Sequence, residues 1–262
     1  MRIYVLGGSG VLGQVLIKQL SQHVIAAPGV SEPRIDVGDY VALCQSILQF
    51  APDAIVNLAA LIGLENCAQH SAEALRVNAL GAANVALIAS ELDISLLYLS
   101  TSSVLNPTSV YGKTKLMGEQ VTRSLAKHFI VRAARFFGSL TEGATGLNKV
   151  LHRIKAGEEV SVVGDAQVSL TYIPDLCVAI ETILQSGRYG TYHVACEGET
   201  TLYDVAAKFA SQLGNGARVH RVDAAFFAKD YSVVRPSREI LMNTSIAGFQ
   251  SRHWTKCLEE MQ

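Results

Sequence analysis

Charged residues are sparse in this 262-residue chain, and neither sign dominates. Asp, Glu, Lys and Arg make up 17% of it, and 22 basic against 23 acidic side chains leave a formal net charge of -1. The charges are scattered, without a long block of one sign. Nucleic acids and anionic membranes attract proteins through dense basic patches. The sequence therefore predicts no nucleic-acid and no membrane partner, and a small molecule is the expected ligand.

Long apolar runs and paired cysteines are also missing. Nothing approaches the roughly 20 apolar residues that a membrane-spanning helix needs, and the apolar stretch at 3–6 is too short for a signal-peptide core. The 5 cysteines stand apart, without a CxxC pair or histidines at zinc-finger spacing, so no metal site is expected. Scattered, odd-numbered cysteines are typical of reduced thiols. These absences predict a cytoplasmic protein.

Apolar residues are plentiful, at 49% of the chain, and they alternate between short runs and helical spacing. The short runs predict strands at 2–6, 23–27, 54–58, 95–100 and 129–132. Helical spacing predicts helices from Val11 to Leu20 and over 39–50, 71–92 and 110–127. Strands that alternate with helices of this length indicate an α/β fold with a doubly wound parallel sheet, the Rossmann type.

The regular alternation ends near residue 138. A loop is expected at 143–146, followed by a helix over 148–156 and a strand over 159–163. A helix over 175–185 would return the chain to the main sheet. Another helix is expected over 201–213, capped by Thr200 or Thr201. We therefore predict a dinucleotide-binding domain over 1–138, completed by about 176–189. A smaller C-terminal α/β substrate-binding lobe would comprise 139–175 and 190–262.

Glycines interrupt the chain directly after the first predicted strand. Gly7, Gly10 and Gly13 lie between that strand and an amphipathic helix, the context in which such a motif binds a dinucleotide. Early glycines allow a tight turn and a close approach to a pyrophosphate, and the last lets the helix lie on the strand. The free N–H groups at the helix start, near Val11 and Leu12, would face the phosphates. A glycine turn without a ligand is the alternative.

The end of the second strand bears on the choice of dinucleotide. A carboxylate there would bind the ribose 2′-hydroxyl of NAD, but the strand ends in Ala26-Ala27-Pro28-Gly29. Ser31 and Arg34 follow, and Arg34 could accept a 2′-phosphate, although a solvated loop charge is an equal alternative. NADP is therefore the expected cofactor, with NAD retained as the second choice. Asp36 and Val37 are expected to lie beneath the adenine.

A tyrosine and a lysine stand four residues apart in a predicted helix. Tyr111 and Lys115 therefore share a helix face, where an ammonium would lower the high pKa of the phenol and suit it to proton transfer. Thr101 ends the preceding strand, at the edge where open α/β sheets bind ligands. A hydroxyl there could orient a substrate carbonyl. An amphipathic helix with a surface lysine is the alternative.

Several segments in family order resemble the extended short-chain dehydrogenases, and among them the dTDP-4-dehydrorhamnose reductase-like sugar-nucleotide reductases. They include 7–13, 52–60, 76–86, 97–104, 110–120, 131–138, 170–180, 190–206 and 233–241. The resemblance implies that Thr101, Tyr111 and Lys115 form the catalytic set. It also implies that Leu58, Ala59 and Ala60 contact the ribose and nicotinamide, that Tyr111 and Lys115 touch the cofactor as well, and that Ser102 and Arg235 lie near the substrate.

The resemblance implies NADPH-dependent reduction of a keto group on a nucleotide-linked sugar, in polysaccharide biosynthesis, by an enzyme that could form a homodimer. Two features depart from the family pattern. Ser102 replaces the usual acidic residue, and only 102–110 separate Thr101 from Tyr111, where the family carries some twenty residues. Two further functions therefore stay open: an NADP-binding regulatory subunit without turnover, and a sugar-nucleotide epimerase.

Overall fold

The computed structural model describes residues 1–30, 32–138, 146–229 and 232–261. The chain divides into two compact units. The first unit comprises Met1–Arg132, Cys177–Tyr192 and Ile246–Phe249. The second unit comprises Ala133–Leu176, His193–Ser245 and Gln250–Gln262.

The first unit is built on a parallel sheet with helices between its strands. The strands of this sheet are β1 (Arg2–Leu6), β2 (Val24–Ala26), β3 (Ala54–Asn57), β4 (Ser95–Thr101), β5 (His128–Ala133) and β10 (Gly190–Val194). The helices are α1 (Val11–Gln19), α2 (Tyr40–Phe50), α3 (Leu64–Gln69), α4 (Ser71–Leu75), α5 (Ala82–Glu91), α6 (Val110–Arg123) and α8 (Ile173–Ser186). The sheet has 6 strands in the order β10-β5-β4-β3-β1-β2.

The strand order reverses direction between β1 and β3. The chain runs outward from β1 to β2, then crosses back to β3 and continues through β4 to β5, with β1 paired in parallel with both β2 and β3. This reversal is a topological switch point, where the crossovers leave on opposite faces and open a crevice at the carboxyl ends of the strands. The prediction of a doubly wound parallel sheet is confirmed, and the crevice lies beside Gly7.

Local sequence explains why these elements form where they do. Residues Ile3 to Leu6 are all buried, as expected of a strand covered on both faces. The Asp39 side chain caps α2 by accepting from the Ala42 N–H at 3.1 Å. The helix ends at Ala51 in the left-handed conformation. The apolar core between this helix and the sheet includes Tyr4, Leu6, Leu43, Ile47, Ile55, Val85 and Ile88.

The predicted helical stretch over 71–92 is confirmed, and it contains a π-helical turn that the sequence did not indicate. After α4 the chain forms a π-helical segment over Arg76–Gly81 before α5 begins at Ala82. A Cβ at Gly81 would lie 2.5 Å from the Val37 side chain, so glycine lets the segment approach the residues after β2. A π-turn is a single wider turn within a continuous helix, so the prediction of helical structure over 71–92 did not distinguish it.

The second unit contains three small strand pairs and three helices among its described residues. The parallel pairs are β6 (Arg135–Phe137) with β9 (Leu170–Tyr172), β7 (Val160–Val163) with β11 (Val219–Val222), and β8 (Gln167–Val168) with β12 (Arg238–Glu239). The helices are α7 (Gly146–Lys155), α9 (Leu202–Leu213) and α10 (Trp254–Glu259). Their core includes Phe137, Leu151, Leu170, Phe209, Trp254 and Leu258.

Of the two predicted caps, Thr200 and Thr201, the structure uses Thr201, whose hydroxyl accepts from the Asp204 N–H at 3.0 Å. The loop predicted at 143–146 falls mostly outside the described residues, and Gly146 already belongs to α7. The predicted lobe over 139–175 and 190–262 likewise begins outside the described residues. Its role in substrate binding stays a prediction. Within the described parts of the chain, no helix combines the length and apolar character required to cross a membrane.

Candidate functional site

The glycine turn after β1 is a cradle in which side chains have no room. Gly7 has a φ of 76°, and a Cβ on it would lie 2.8 Å from the backbone nitrogen of Ala59. A Cβ on Gly13 would lie 2.5 Å from the Gly7 carbonyl oxygen. The first helical turn therefore lies directly on the turn, and the turn on the end of β3. Both contacts need glycine, as the sequence predicted.

The start of α1 presents unpaired backbone donors to this turn. The Gly10 N–H donates to the Gly7 carbonyl at 3.1 Å, and the first helical hydrogen bond runs from Gln14 N–H to the Gly10 carbonyl at 2.9 Å. The N–H groups of Val11 and Leu12 thus precede the helical ladder. Together with the positive end of the helix dipole, they suit a pyrophosphate.

The chain after β2 offers a cation and no carboxylate at the strand end. Gly29, with φ at 88°, donates its N–H to the Glu32 carbonyl at 2.8 Å, which closes a tight turn. Arg34 is exposed and lies beside this turn, 3.8 Å from the position of a Cβ on Gly29. It is close enough to Asp36 to contribute to the lowered pKa of that carboxyl. Ser31 lies outside the described residues.

Asp36 and Val37 differ in their environment: Asp36 is exposed and Val37 is buried. The Asp36 carboxylate accepts from the Gly38 N–H at 2.8 Å and pairs with Arg76 at 2.7 Å. The Gly38 hydrogen bond, followed by Arg76, lowers the pKa of Asp36. Val37 is buried against the π-helical segment, and its carbonyl accepts from the Asn84 side chain at 2.9 Å. The chain is thus fixed where an adenine is expected.

The residues after β3 form the other wall of the crevice. Leu58, Ala59 and Ala60 are half-buried. The Leu58 N–H extends the sheet by donating to the Leu6 carbonyl at 3.0 Å. The Ala59 N–H donates to the buried Asn57 side chain at 3.1 Å. This segment therefore lies alongside the glycine turn, as expected for residues that contact the same cofactor.

A short connection links Thr101 to Tyr111. A 3-10 turn over Ser102–Val104 follows β4, and the Thr101 hydroxyl accepts from the Ser103 N–H at 3.2 Å. A Cβ on Gly112 would lie 2.7 Å from the Ser103 carbonyl oxygen. The first turn of α6 therefore lies on the residues that follow β4, which places Tyr111 and Thr101 at the same sheet edge. Ser102 is buried in this turn, and its contact with substrate stays a prediction.

Lys115 is enclosed by the first unit. Only 3% of the residue is exposed. Its ammonium donates to the Leu99 carbonyl at 2.7 Å and lies 4.0 Å from the centre of the Tyr98 ring. Burial lowers the pKa of Lys115 to about 7, an effect that Glu119 partly opposes. This burial argues against the surface-lysine alternative, because an isolated ammonium is costly to bury.

Sequence reasoning missed a buried asparagine that joins the two halves of the site. The Asn78 side chain accepts from the Leu61 N–H at 2.8 Å and donates to the Leu61 carbonyl at 3.0 Å. The side chain also donates to the Thr114 hydroxyl of α6 at 3.2 Å. The backbone carbonyl of Asn78 accepts from the Tyr98 hydroxyl at 3.2 Å. Asn78 thus ties the segment after β3 to the helix that carries Lys115. Asn78 lies within segment 76–86, which carries part of the family resemblance, and this was the one indication in the sequence that it could belong to the site.

Arg235 belongs to the second unit. It is half-buried, precedes β12, and donates to the Val233 carbonyl at 3.4 Å. The predicted substrate contact of Arg235 stays a prediction.

Comparison with known proteins agrees with this geometry. A Bacillus subtilis spore coat polysaccharide biosynthesis protein, SpsK, is 26% identical over 276 residues, which cover 99% of this chain and 96% of the relative. A dTDP-4-keto-6-deoxy-D-glucose reductase from Streptomyces niveus is 29% identical over 282 residues, with coverage of 99% and 96%.

A solved structure has a similar fold over the whole length of this chain. The dTDP-4-dehydrorhamnose reductase from Bacillus anthracis, crystallised in complex with NADP, superimposes with a TM-score of 0.90 at 27% identity and covers 99% of this chain and 98% of its own. A family model described as the RmlD substrate binding domain matches residues 1–262. The chain therefore belongs to the RmlD substrate binding domain family.

Proposed function

We propose that this protein is an NADPH-dependent reductase of a keto group on a nucleotide-linked sugar. The observation that carries the proposal is the buried Lys115, which shares a helix face with Tyr111 at the edge of the sheet where Thr101 ends β4. Whole-length similarity to reductases of dTDP-linked keto sugars supports the choice of substrate class.

The glycine cradle fits a dinucleotide. Side chains at Gly7 and Gly13 would collide with neighbouring backbone, so the turn is shaped for close approach. Gly10, Val11 and Leu12 would hold the pyrophosphate through backbone N–H groups. Asp36 and Val37 would lie near the adenine, and 58–60 near the nicotinamide side. When bound, the reduced nicotinamide supplies the hydride.

The side chains at the end of β4 and on α6 would orient the substrate carbonyl and donate a proton to it. Thr101 would hydrogen-bond the substrate carbonyl and orient it, and Ser102 would line the same region. Tyr111 would donate the proton to the carbonyl oxygen as the keto carbon is reduced. Lys115, with its positive charge, makes the phenol a stronger acid. Arg235 of the second unit would serve the substrate side.

A screen of dTDP- and UDP-linked keto sugars, followed by NADPH absorbance, tests the proposal. We expect NADPH oxidation that depends on the sugar nucleotide. Interconversion of sugar nucleotides without net NADPH consumption would favour the epimerase alternative. Tight NADPH binding without turnover of any keto sugar would favour the regulatory subunit and contradict the proposal.

Cofactor preference provides a separate prediction. We expect tighter binding of NADPH than of NADH, because the end of β2 carries exposed Arg34 and no carboxylate. Arg34→Ala should weaken NADPH binding about 10-fold while NADH binding changes little, since one charge-assisted hydrogen bond is worth about 1.5–3 kcal/mol. Fluorescence titration measures both affinities.

The control for this titration is Arg188→Ala. Arg188 is also exposed, but it lies at the amino end of β10, away from the strand ends that hold ligands. Its replacement should leave both affinities unchanged. Equal losses for NADPH and NADH in Arg34→Ala would contradict a 2′-phosphate contact.

Three further expectations remain proposals. A homodimer follows only from the family resemblance, and sedimentation analysis would measure it. A cytoplasmic location follows from the cysteine pattern. The substrate lobe over 139–175 and 190–262 would bind the nucleotide part of the substrate, leaving 1–138 and about 176–189 to the cofactor.

A further inference from the structure

Three ionisable residues lie on one face of α6. Tyr111, Lys115 and Glu119 follow at intervals of four, so their side chains stack along the same side of the helix. Lys115 and Glu119 are both buried, and Glu119 is 0% exposed. A fully buried carboxylate one turn from a buried ammonium is rare unless the charges compensate each other.

Glu119 is held in place by arginines. Arg132 of β5 donates to both carboxylate oxygens, at 2.8 Å through Nε and at 2.6 Å through Nη2. Arg123, one turn further along α6, approaches the carboxylate at 3.3 Å and is largely exposed. This fork fixes the carboxylate and its negative charge against the helix face.

Among the described residues, the other groups that contact or act on Lys115 are uncharged at neutral pH. The Leu99 carbonyl and the Tyr98 ring are neutral partners. Burial raises the pKa of Tyr98 well above its usual value. Cys67 of α3 acts on Lys115 as well, but burial raises the pKa of its thiol to about 11. Of the described groups that influence Lys115, Glu119 has the largest favourable effect on its charge.

We propose that Glu119 is a positioning residue that acts through Lys115: its buried carboxylate keeps the lysine positively charged on the helix face that carries Tyr111. The inference rests on the proposed roles of Tyr111 and Lys115 in the reductase. Glu119 touches neither substrate nor cofactor in this scheme. Its contribution is the charge state of the lysine that strengthens the phenol as an acid.

Direct titration of Lys115 tests the inference without any turnover. The cofactor-free protein is prepared with lysine labelled with ¹³C at Cε, and Lys115→Met assigns the signal. Wild type should titrate near pH 7. Glu119→Gln removes the charge that opposes desolvation, so the midpoint should fall by about 1 pH unit or more. Glu119→Asp keeps the charge and should restore most of the shift.

The matched control is Glu181→Gln in the same unit. Glu181 is also largely buried and pairs with His23 at 3.2 Å and Gln19 at 2.7 Å, but it lies on α8. Its replacement should leave the Lys115 midpoint unchanged. A Glu119→Gln protein that is folded by circular dichroism and keeps the wild-type midpoint overturns the inference.

If Glu119→Gln fails to fold, the pair is replaced as a unit by Glu119→Met with Arg132→Met, an exchange that buried ion pairs often tolerate. Arg132→Met alone is the reference: a Lys115 midpoint in the double variant below that of Arg132→Met supports the inference, and an equal one overturns it. Where keto-sugar reduction is measurable, Glu119→Gln should lose more activity at pH 8 than at pH 6, because acid restores the lysine charge. A purely structural role would lower both alike. Absence of turnover would contradict the reductase and leave the lysine titration valid.

Discussion

Replacement of Tyr111 by phenylalanine should reduce turnover by about 10²- to 10⁴-fold, the usual effect of losing a general acid. In the proposed mechanism this phenol is the proton donor, beside Lys115 and Thr101. The ring of phenylalanine fills the same space, so the position of α6 and the glycine cradle should not change. NADPH affinity should therefore stay within about 2-fold of wild type, because most of the binding energy comes from the phosphates.

Steady-state NADPH oxidation and fluorescence titration measure the two quantities on one preparation. Tyr98→Phe is the matched control, because it removes the hydroxyl of a buried tyrosine that contacts Lys115 through its ring and donates only to Asn78. That variant should lose stability and keep most of its turnover. Full activity in Tyr111→Phe would eliminate the assigned mechanism.

Replacement of Lys115 by methionine should separate activity from stability. Turnover should fall by at least about 10²-fold, because the proposed proton donor would lose the positive charge beside it. The cofactor-free protein should become more stable at the same time. Burial lowers the pKa of Lys115 to about 7, far below the value near 10.4 expected in an unfolded chain.

The sign of the pH dependence follows from this difference. Below about pH 7 the lysine is charged in both states, and its burial opposes folding in full. Between about pH 7 and 10 the unfolded chain binds more protons, so the stability of wild type rises with pH from this group. The methionine variant lacks this cost. It should gain about 2 kcal/mol near pH 6, after the lost hydrogen bond to Leu99 is deducted.

Thermal unfolding without cofactor at pH 6 and pH 9.5 measures the gain. The melting temperature should rise by about 4–8 °C at the lower pH and hardly at all at the higher one. Lys113→Met provides the control, because Lys113 lies on the same helix and is exposed. A Lys115→Met protein that is less stable than wild type at pH 6 would show that the lysine charge is not costly.

The sequence predicted the fold better than it predicted the burial and the contacts of individual side chains. The structure confirms the predicted alternation of strands and helices and the glycine turn, and it decides between the two predicted caps in favour of Thr201. Family membership was also predicted and is confirmed by the match over 1–262. The helical stretch over 71–92 was predicted as well, but the π-helical turn inside it was not. The residue roles at the site remain predictions.

Local sequence alone determined which elements form and where the glycine turn lies, because apolar periodicity, caps and glycines act over a few residues. Tertiary structure alone decided that Asn78 joins the segment after β3 to α6, and that Glu119 meets Arg132 on β5. It also decided that Lys115 is enclosed rather than exposed. These contacts join residues far apart in the chain, and helical spacing by itself fits a solvated lysine as well as a buried one. Only packing of α6 against the sheet removes water from the ammonium, and that loss of water lowers its pKa.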